Sequence, residues 1–216
     1  EAHIDGWTSQ AGRPVSGMPR AGDVGLVLVD NNDRPQACLR LRMRLGLERP
    51  RYHYCVGSIV HAAPELRLFS AQKTLLLGND HTGQSEITDL ACAPGSSAAT
   101  RVQGMEVLLR EALAQWALRR PSSVERLVVE IAGLRDSRGA SPFWEGLGRH
   151  FYAGEPDEAY GRFGEDWCGH LASLLPRQPL YLSFLNEAAQ SALGRVGAHG
   201  AAAAQALHAC GLRFVQ

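Results

Sequence analysis

The chain of 216 residues carries 22 basic and 22 acidic side chains, a formal net charge of zero, with 45% hydrophobic and 20% charged residues. This is an ordinary globular composition, and its balanced charge offers no electrostatic footprint to nucleic acid or to an anionic membrane surface. The longest apolar runs, such as Leu26 to Val29 and Thr74 to Leu77, fall far short of the ~18 residues a membrane-spanning helix needs, so neither partner is expected.

Residues 1–23 hold Gly6, Gly12, Pro14, Gly17, Pro19 and Gly22 without an apolar period and read as an irregular N-terminal arm, with one domain expected over 24–216. From Gly25 the pattern turns strand-like. Leu26 to Asp30, a turn at Asn31-Asn32-Asp33 and the alternating run Cys38 to Leu45 predict a β-hairpin. Arg40, Arg42 and Arg44 share one side of its second strand; period-2 amphipathicity accounts for them as a solvated face, against the sharper reading of an anion-binding stripe. Tyr52 to His61 predicts a further strand, followed by a short connection through Pro64-Glu65-Leu66. Leu75 to Leu77 leads into the dense turn signal Asn79 to Gly83, and Ser85 to Cys92 reads as a central strand ended by Ala93-Pro94-Gly95.

Apolar residues at helical spacing from Val102 to Ala117 predict an amphipathic helix stopped at Pro121. Val124 to Ile131 reads as a buried strand. Ser141-Pro142 opens a helix in N-cap and N1 fashion that runs through Phe143, Trp144 and Phe151, its aromatics serving as core. Further helices are predicted over 166–175, 186–196 and 201–210, with a terminal strand over 212–215. Antiparallel strands followed by alternating helices and strands define an α+β (mixed α/β) fold, expected as a mostly antiparallel twisted sheet flanked by helices, with the strands at 85–92 and 124–131 side by side and diverging at one end.

Five cysteines (Cys38, Cys55, Cys92, Cys168, Cys210) are odd in number and form no Cys-x-x-Cys pair. That argues against a disulfide framework or zinc ribbon and fits a reducing, cytoplasmic setting. No export signal is visible, and a chain that begins at Glu1 is expected to be processed or cut there. All basic residues but Lys73 are arginine, a skew we attribute to codon usage in a GC-rich genome.

The strand, glycine-containing loop and helix from Glu86 to Arg119 form the most informative local feature. Unpaired N–H groups and a partial positive charge at a helix start can hold a phosphate without lysine, although a plain strand-to-helix connection explains the spacing equally. Neither Gly-x-x-x-x-Gly-Lys-Ser/Thr nor Gly-x-Gly-x-x-Gly occurs. His53 and His61 flank one strand and are not expected to bind a metal jointly. Cys92 has no His/Asn partner set for covalent catalysis.

Three blocks carry a family resemblance: Tyr52-His-Tyr-Cys-Val-Gly57-Ser-Ile-Val-His61; Asn79-Asp-His-Thr-Gly83-Gln-Ser-Glu86; and Ser141-Pro-Phe-Trp144-Glu-Gly-Leu-Gly148-Arg-His-Phe151, continued by Leu175-Pro-Arg-Gln-Pro179-Leu-Tyr181, Glu187-Ala-Ala-Gln190 and Gly211-Leu-Arg-Phe214. On these blocks, over roughly residues 25–216, the sequence resembles the arginine N-succinyltransferases of the GCN5-related N-acyltransferase superfamily. The resemblance implies succinyl transfer from succinyl-CoA to the α-amino group of arginine or a related amine in arginine catabolism, through a ternary complex and without a metal.

It further implies that pantetheine pairs with the strand holding Leu90 and Cys92, and that diphosphate docks on Arg101-Val-Gln103-Gly104-Met105-Glu106. There the family pattern wants a small residue at 106, so Glu106 is expected to add bulk and repulsion at the helix start. Fewer residues than usual precede the first strand, which points to a homo-oligomer or partner subunit completing the acceptor side. Amine acylation needs a base. Glu86, beside the expected thioester position, and His81, whose imidazole can accept or donate a proton, are the candidates; the plain alternatives are a solvent-facing strand residue and a structural Asp-His-Thr-Gly turn. Asp89 can pair with an arginine substrate or with a structural arginine, and the second is the preferred reading. The competing reading is a non-catalytic or regulatory subunit that has lost CoA binding.

Overall fold

The structure is a computed structural model that describes residues 22–213. All but the last two residues of the expected arm, and Phe214 and Val215 of the expected terminal strand, lie outside the described residues. In chain order the elements are β1 (Val24–Val29), β2 (Pro35–Arg42), β3 (His53–Ala63), β4 (Leu68–Gly78), β5 (Ser85–Cys92), α1 (Ala98–Arg119), β6 (Leu127–Val129), α2 (Pro142–Gly146), α3 (Pro156–Phe163), α4 (Asp166–Leu174), β7 (Leu180–Tyr181), α5 (Glu187–Ala192) and α6 (Ala201–Ala209). They fall into two compact units. One comprises Glu1–Leu45, Gly83–Gly133 and Val196–Val215, the other chiefly Gly46–Thr82 and Leu134–Arg195. No helix of the described residues is long and apolar enough to cross a membrane.

In the first unit the sheet runs β1-β2-β5-β6, antiparallel except for the parallel pair β5/β6. The β1–β2 turn forms because the Asp30 carboxylate accepts from the N–H groups of Asn32 (2.8 Å) and Arg34 (3.0 Å), which also holds its carboxyl below the usual range. Ser97 caps α1 by accepting from the Thr100 N–H at 3.1 Å, so the helix begins a turn earlier than its apolar period suggests. Met105, Leu108, Leu109 and Ala112 recur at i, i+3, i+4 and i+7. They pack against Leu39 and Leu41 of β2, Ile87 and Leu90 of β5, and Ala203, Ala206 and Leu207 of α6. Each fully buried leucine stabilises this core by about 1.5–3 kcal/mol.

The strand expected over 124–131 shrinks to three half-buried residues. Val124 belongs to a turn, its N–H donating to the Pro121 carbonyl, and the N–H groups of Glu125 and Arg126 both donate to the Gln84 side-chain oxygen (3.1 and 2.9 Å). The ladder with β5 begins with the Arg126 carbonyl, which accepts from the Ser85 N–H at 3.1 Å, and runs on through Leu127 to Val129.

The second unit has its own sheet, so the single sheet expected from the sequence is divided into two. β3 and β4 form a hairpin in full register, from His53 opposite Gly78 to Ala63 opposite Leu68, and β7 adds to β4 at Thr74 and Leu75. Leu75, Leu147 and Leu182 form one core cluster with Tyr54, Val56 and Phe143; Leu77, Ala172 and Leu175 form another. The connection at Pro64–Leu66 is a short 3₁₀ turn closed by Arg67 at φ +50°. The hairpin's distal half is exposed, with Val60, Leu66, Leu68 and Phe69 between 56% and 75% accessible.

Ser141 caps α2 as expected, its hydroxyl accepting from the Trp144 N–H at 3.2 Å. The helix nevertheless stops at Gly146, and a 3₁₀ turn, Gly148–His150, follows. The Trp144 ring lies so close over Gly148 that a β-carbon there would collide with it. The last helix of this unit, Glu187–Ala192, is likewise shorter than its pattern.

Candidate active site

Arg44 lies beyond the end of β2 and is exposed, as the solvated-face reading expects, but Arg40 and Arg42 do not face water. Leu39 and Leu41 turn toward α1, so Arg40 and Arg42 lie on the other face of the sheet, and both are paired with carboxylates of β5. Arg42 stands opposite Glu86 in the register, with its guanidinium 3.6 Å from the carboxylate; Arg40 approaches Asp89 at 3.4 Å. Glu86 is 3% exposed and Arg40 5%. Asp89 therefore has the structural arginine partner that its sequence context suggested. Charges at this depth persist because they are matched, since an unpaired buried carboxylate costs several kcal/mol.

β5 is also irregular where its chemistry would lie. The register passes from Cys38 opposite Ala91 to Arg40 opposite Thr88, which inserts an extra residue into β5, and Asp89 sits there with φ +55°. This is a β-bulge that bends the strand. Pairing with β6 covers only Ser85 to Ile87, so the β6-side edge of β5 runs on from Thr88 to Cys92 past the end of that ladder. The two strands are neighbours, as expected, and part after three residue pairs.

Leu90 is buried in the core, and Cys92 is half-buried with its thiol donating to the Arg101 carbonyl at 3.7 Å. Burial pushes the Cys92 thiol up to about 11, against the opposing pull of Arg101. At neutral pH it is a thiol, not a nucleophilic thiolate.

The loop from Ala93 to Ser97 turns at Gly95 (φ +83°) and delivers the chain to the start of α1. Here the expected diphosphate segment needs correction. Arg101 to Glu106 lie inside α1, not in the loop before it. Arg101 and Gln103 are exposed on its first turns, whereas Gly104 and Met105 are buried, Met105 completely. Their amides belong to the helix ladder and are not available as a phosphate cradle. Glu106 is about 12 Å along the axis from the helix start at 1.5 Å per residue. Its carboxylate accepts from Arg110 at 2.6 Å, so the bulk and repulsion expected at the helix start are not placed there.

His81 belongs to the second unit, in the turn after β4. That turn is fixed by Thr82, whose hydroxyl donates to the Asn79 carbonyl at 2.7 Å. The His81 ring stacks on His53 with centroids 4.0 Å apart and planes 8° from parallel. His53 Nε2 in turn lies 2.9 Å from Asp80 Oδ1 and 3.4 Å from Cys55 Sγ. Burial, and then the neighbouring His81, lower the His53 pKa against the pull of Asp80. Burial and Asp80 raise that of the Cys55 thiol. His61 takes a different partner, the Tyr181 hydroxyl at 3.2 Å. The grouping of His53, Cys55 and Asp80 was not foreseen from the sequence. His53 and Cys55 are two apart and share a strand face, but Asp80 reaches them only through the pairing of His53 with Gly78.

A bulged central strand that parts from its parallel neighbour, followed by a glycine loop and a capped helix, places the first unit in the GCN5-related acyltransferase-like class of α+β folds. The chain belongs to the arginine N-succinyltransferase family: the family model described as arginine N-succinyltransferase beta subunit matches residues 10–216. Among its relatives, the arginine N-succinyltransferase of Citrobacter koseri is 37% identical over 175 residues, 81% of this chain and 50% of that protein. That of Salmonella paratyphi B is 33% identical over 218 residues, 99% of this chain and 62% of the relative. The solved structure of arginine/ornithine succinyltransferase subunit AI from Pseudomonas aeruginosa superposes with a TM-score of 0.67 at 25% identity, covering 87% of this chain and 53% of that one. The chain thus spans about half to three fifths of the length of the relatives it matches.

Proposed function

We propose that this chain takes part in transferring the succinyl group of succinyl-CoA to the α-amino group of arginine, with residues 24–216 acting as one acyltransferase-like domain behind an arm at 1–23. The observation that carries this reading is the edge of β5 beyond Ile87, which continues past the β5/β6 ladder. The strand backbone around Leu90 and Cys92 offers pairing groups to the pantetheine amides. The start of α1 offers its dipole to the diphosphate, with Arg101 and Gln103 on its exposed side. When bound, succinyl-CoA supplies an activated thioester. The amine nitrogen adds to its carbonyl carbon, a base takes a proton from that nitrogen, the C–S bond breaks with its electron pair going to sulfur, and the proton held by the base passes to that sulfur so that CoA leaves as the thiol.

Glu86 is the first candidate for the base, directly or through a water, and His81 the second. The reading of a subunit without CoA binding rested on Glu106 at the helix start and loses that support. The words "beta subunit" and "subunit AI" in the descriptions of similar proteins, together with the exposed apolar hairpin, support a second copy or partner subunit in the working enzyme. A cytoplasmic setting follows from the same metabolic reading.

The test is a titration with CoA and succinyl-CoA, followed by release of free thiol in the presence of arginine. Glu86→Gln is expected to leave CoA affinity nearly intact and to lower turnover by roughly 10²-fold or more, the usual effect of removing a general base. Circular dichroism on the same sample separates a chemical defect from an unfolded protein. Absence of CoA binding by the unaltered chain, supplied with its partner segment or subunit, would remove the reading.

A further inference from the structure

The cluster at the base of the β3–β4 hairpin does chemistry of its own kind. His53 Nε2, Cys55 Sγ and Asp80 Oδ1 form a triangle with sides of 2.9, 3.4 and 3.6 Å. Three nitrogen, sulfur and oxygen donors of a tetrahedral Zn²⁺ lie about 3.3–3.6 Å from one another, given metal–ligand bonds of about 2.0–2.3 Å. The observed triangle matches that face to within a few tenths of an ångström. Among the described residues this is the group whose donor atoms converge in this way, all within 4.8 Å.

Three features of the local structure hold the donors together. His53 and Cys55 are alternate residues of one strand, so both side chains leave β3 on the same side. The residue opposite His53 is Gly78, and a β-carbon there would lie 3.1 Å from Cys55 Sγ and 3.3 Å from Asp80 Oδ1; the glycine leaves the room the sulfur and carboxylate occupy. The stacked His81 ring fixes the plane of His53, and the Thr82–Asn79 hydrogen bonds fix the turn that carries Asp80. Asp80 is 57% exposed, which gives an ion a path in from solvent.

We propose that His53, Cys55 and Asp80 bind a borderline-soft divalent cation of the Zn²⁺ class, with a fourth coordination position left to water or to a further ligand. Binding forms a metal–sulfur bond as the Cys55 S–H gives its proton to solvent, and no electron is transferred. A thiolate, a carboxylate and a neutral imidazole together balance the charge of the ion. The mixed sulfur, nitrogen and oxygen set selects Zn²⁺ or Co²⁺ over Mg²⁺ or Ca²⁺, which require oxygen ligands. This site is independent of the acyltransferase reading, because binding is measured without substrate.

The test is isothermal titration of the chelator-stripped full chain with Zn²⁺, and optical spectroscopy with Co²⁺ as the visible probe. One ion per chain is expected, with a thiolate-to-cobalt charge-transfer band that disappears in Cys55→Ser. Asp80→Asn, on an exposed turn and nearly isosteric, and His53→Ala are expected to weaken binding by at least about tenfold, whereas Cys168→Ser leaves it unchanged. Far-UV circular dichroism establishes that each variant is folded. No measurable binding of either ion, or binding that Cys55→Ser and Asp80→Asn leave unchanged, overturns the proposal.

Discussion

Arg42 and Glu86 illustrate how a buried charge depends on its partner. Glu86 is 3% exposed, and the Arg42 guanidinium stands opposite it in the ladder. Arg42→Met removes a cation from beside a buried carboxylate and is expected to lower stability, read as a lower midpoint in urea unfolding; the double variant Arg42→Met, Glu86→Leu should recover part of the loss, because an apolar pair of similar volume replaces a matched ion pair at little net cost. The sequence of β2 could not reveal this pairing. An alternation of leucine and arginine looks the same whether the arginines meet water or carboxylates, and the carboxylates sit on β5, far along the chain. Asp89 could be read correctly as an arginine's partner because an acidic residue inside an apolar strand has few other ways to be buried. His81 could be placed in a turn from Asn79-Asp-His-Thr-Gly83, but its stacking on His53 depends on hairpin register, which no local motif encodes.

At the level of the element, α1 separates local chemistry from tertiary demand. Its apolar spacing and the proline after it gave its extent to within a turn, and Ser97 set the start. Gly104 is the informative position. A β-carbon there meets Leu28 and Ala37 at ordinary contact distances of 3.5 and 3.6 Å, so packing does not require glycine. Gly104→Ala is therefore expected to raise stability by about 0.5–1 kcal/mol through helix propensity, seen as a higher thermal midpoint. A lower thermal midpoint would instead show that the contacts with Leu28 and Ala37 leave no room for the methyl group. The capped starts at Ser141 and the strand at β5 were equally legible, since caps and alternation are local. β6 was read too long because the side chain of Gln84, not the hydrophobicity of 124–131, decides where pairing begins. α3 escaped notice although Pro156 at its first turn, with Asp157 and Glu158 beside it, is a start signal of the usual kind.

For the whole molecule, the exposed apolar residues of the β3–β4 hairpin bear on assembly. A two-stranded ribbon is marginally stable alone in water, and Leu66, Leu68 and Phe69 are more than half exposed on this one. Sedimentation velocity at micromolar concentration is expected to show a species heavier than one chain, and Leu68→Glu with Phe69→Lys is expected to return it to the mass of a single chain. A single-chain species before those changes would count against association.

The division of the chain into two interleaved units also bears on its biogenesis. The first unit is assembled from Glu1–Leu45, Gly83–Gly133 and Val196–Val215, and the second fills the intervals. A growing polypeptide can close the β3–β4 hairpin early, yet β7 must arrive before β4 gains its second neighbour. The core face of α1 must wait longer, for Ala203, Ala206 and Leu207 of α6. The second unit has its two main segments once Arg195 is made, whereas the first must wait for the segment that begins at Val196. Such high contact order slows folding and leaves Leu108 and Leu109 without their last neighbours until synthesis is nearly complete, a window in which a chaperone would find its substrate.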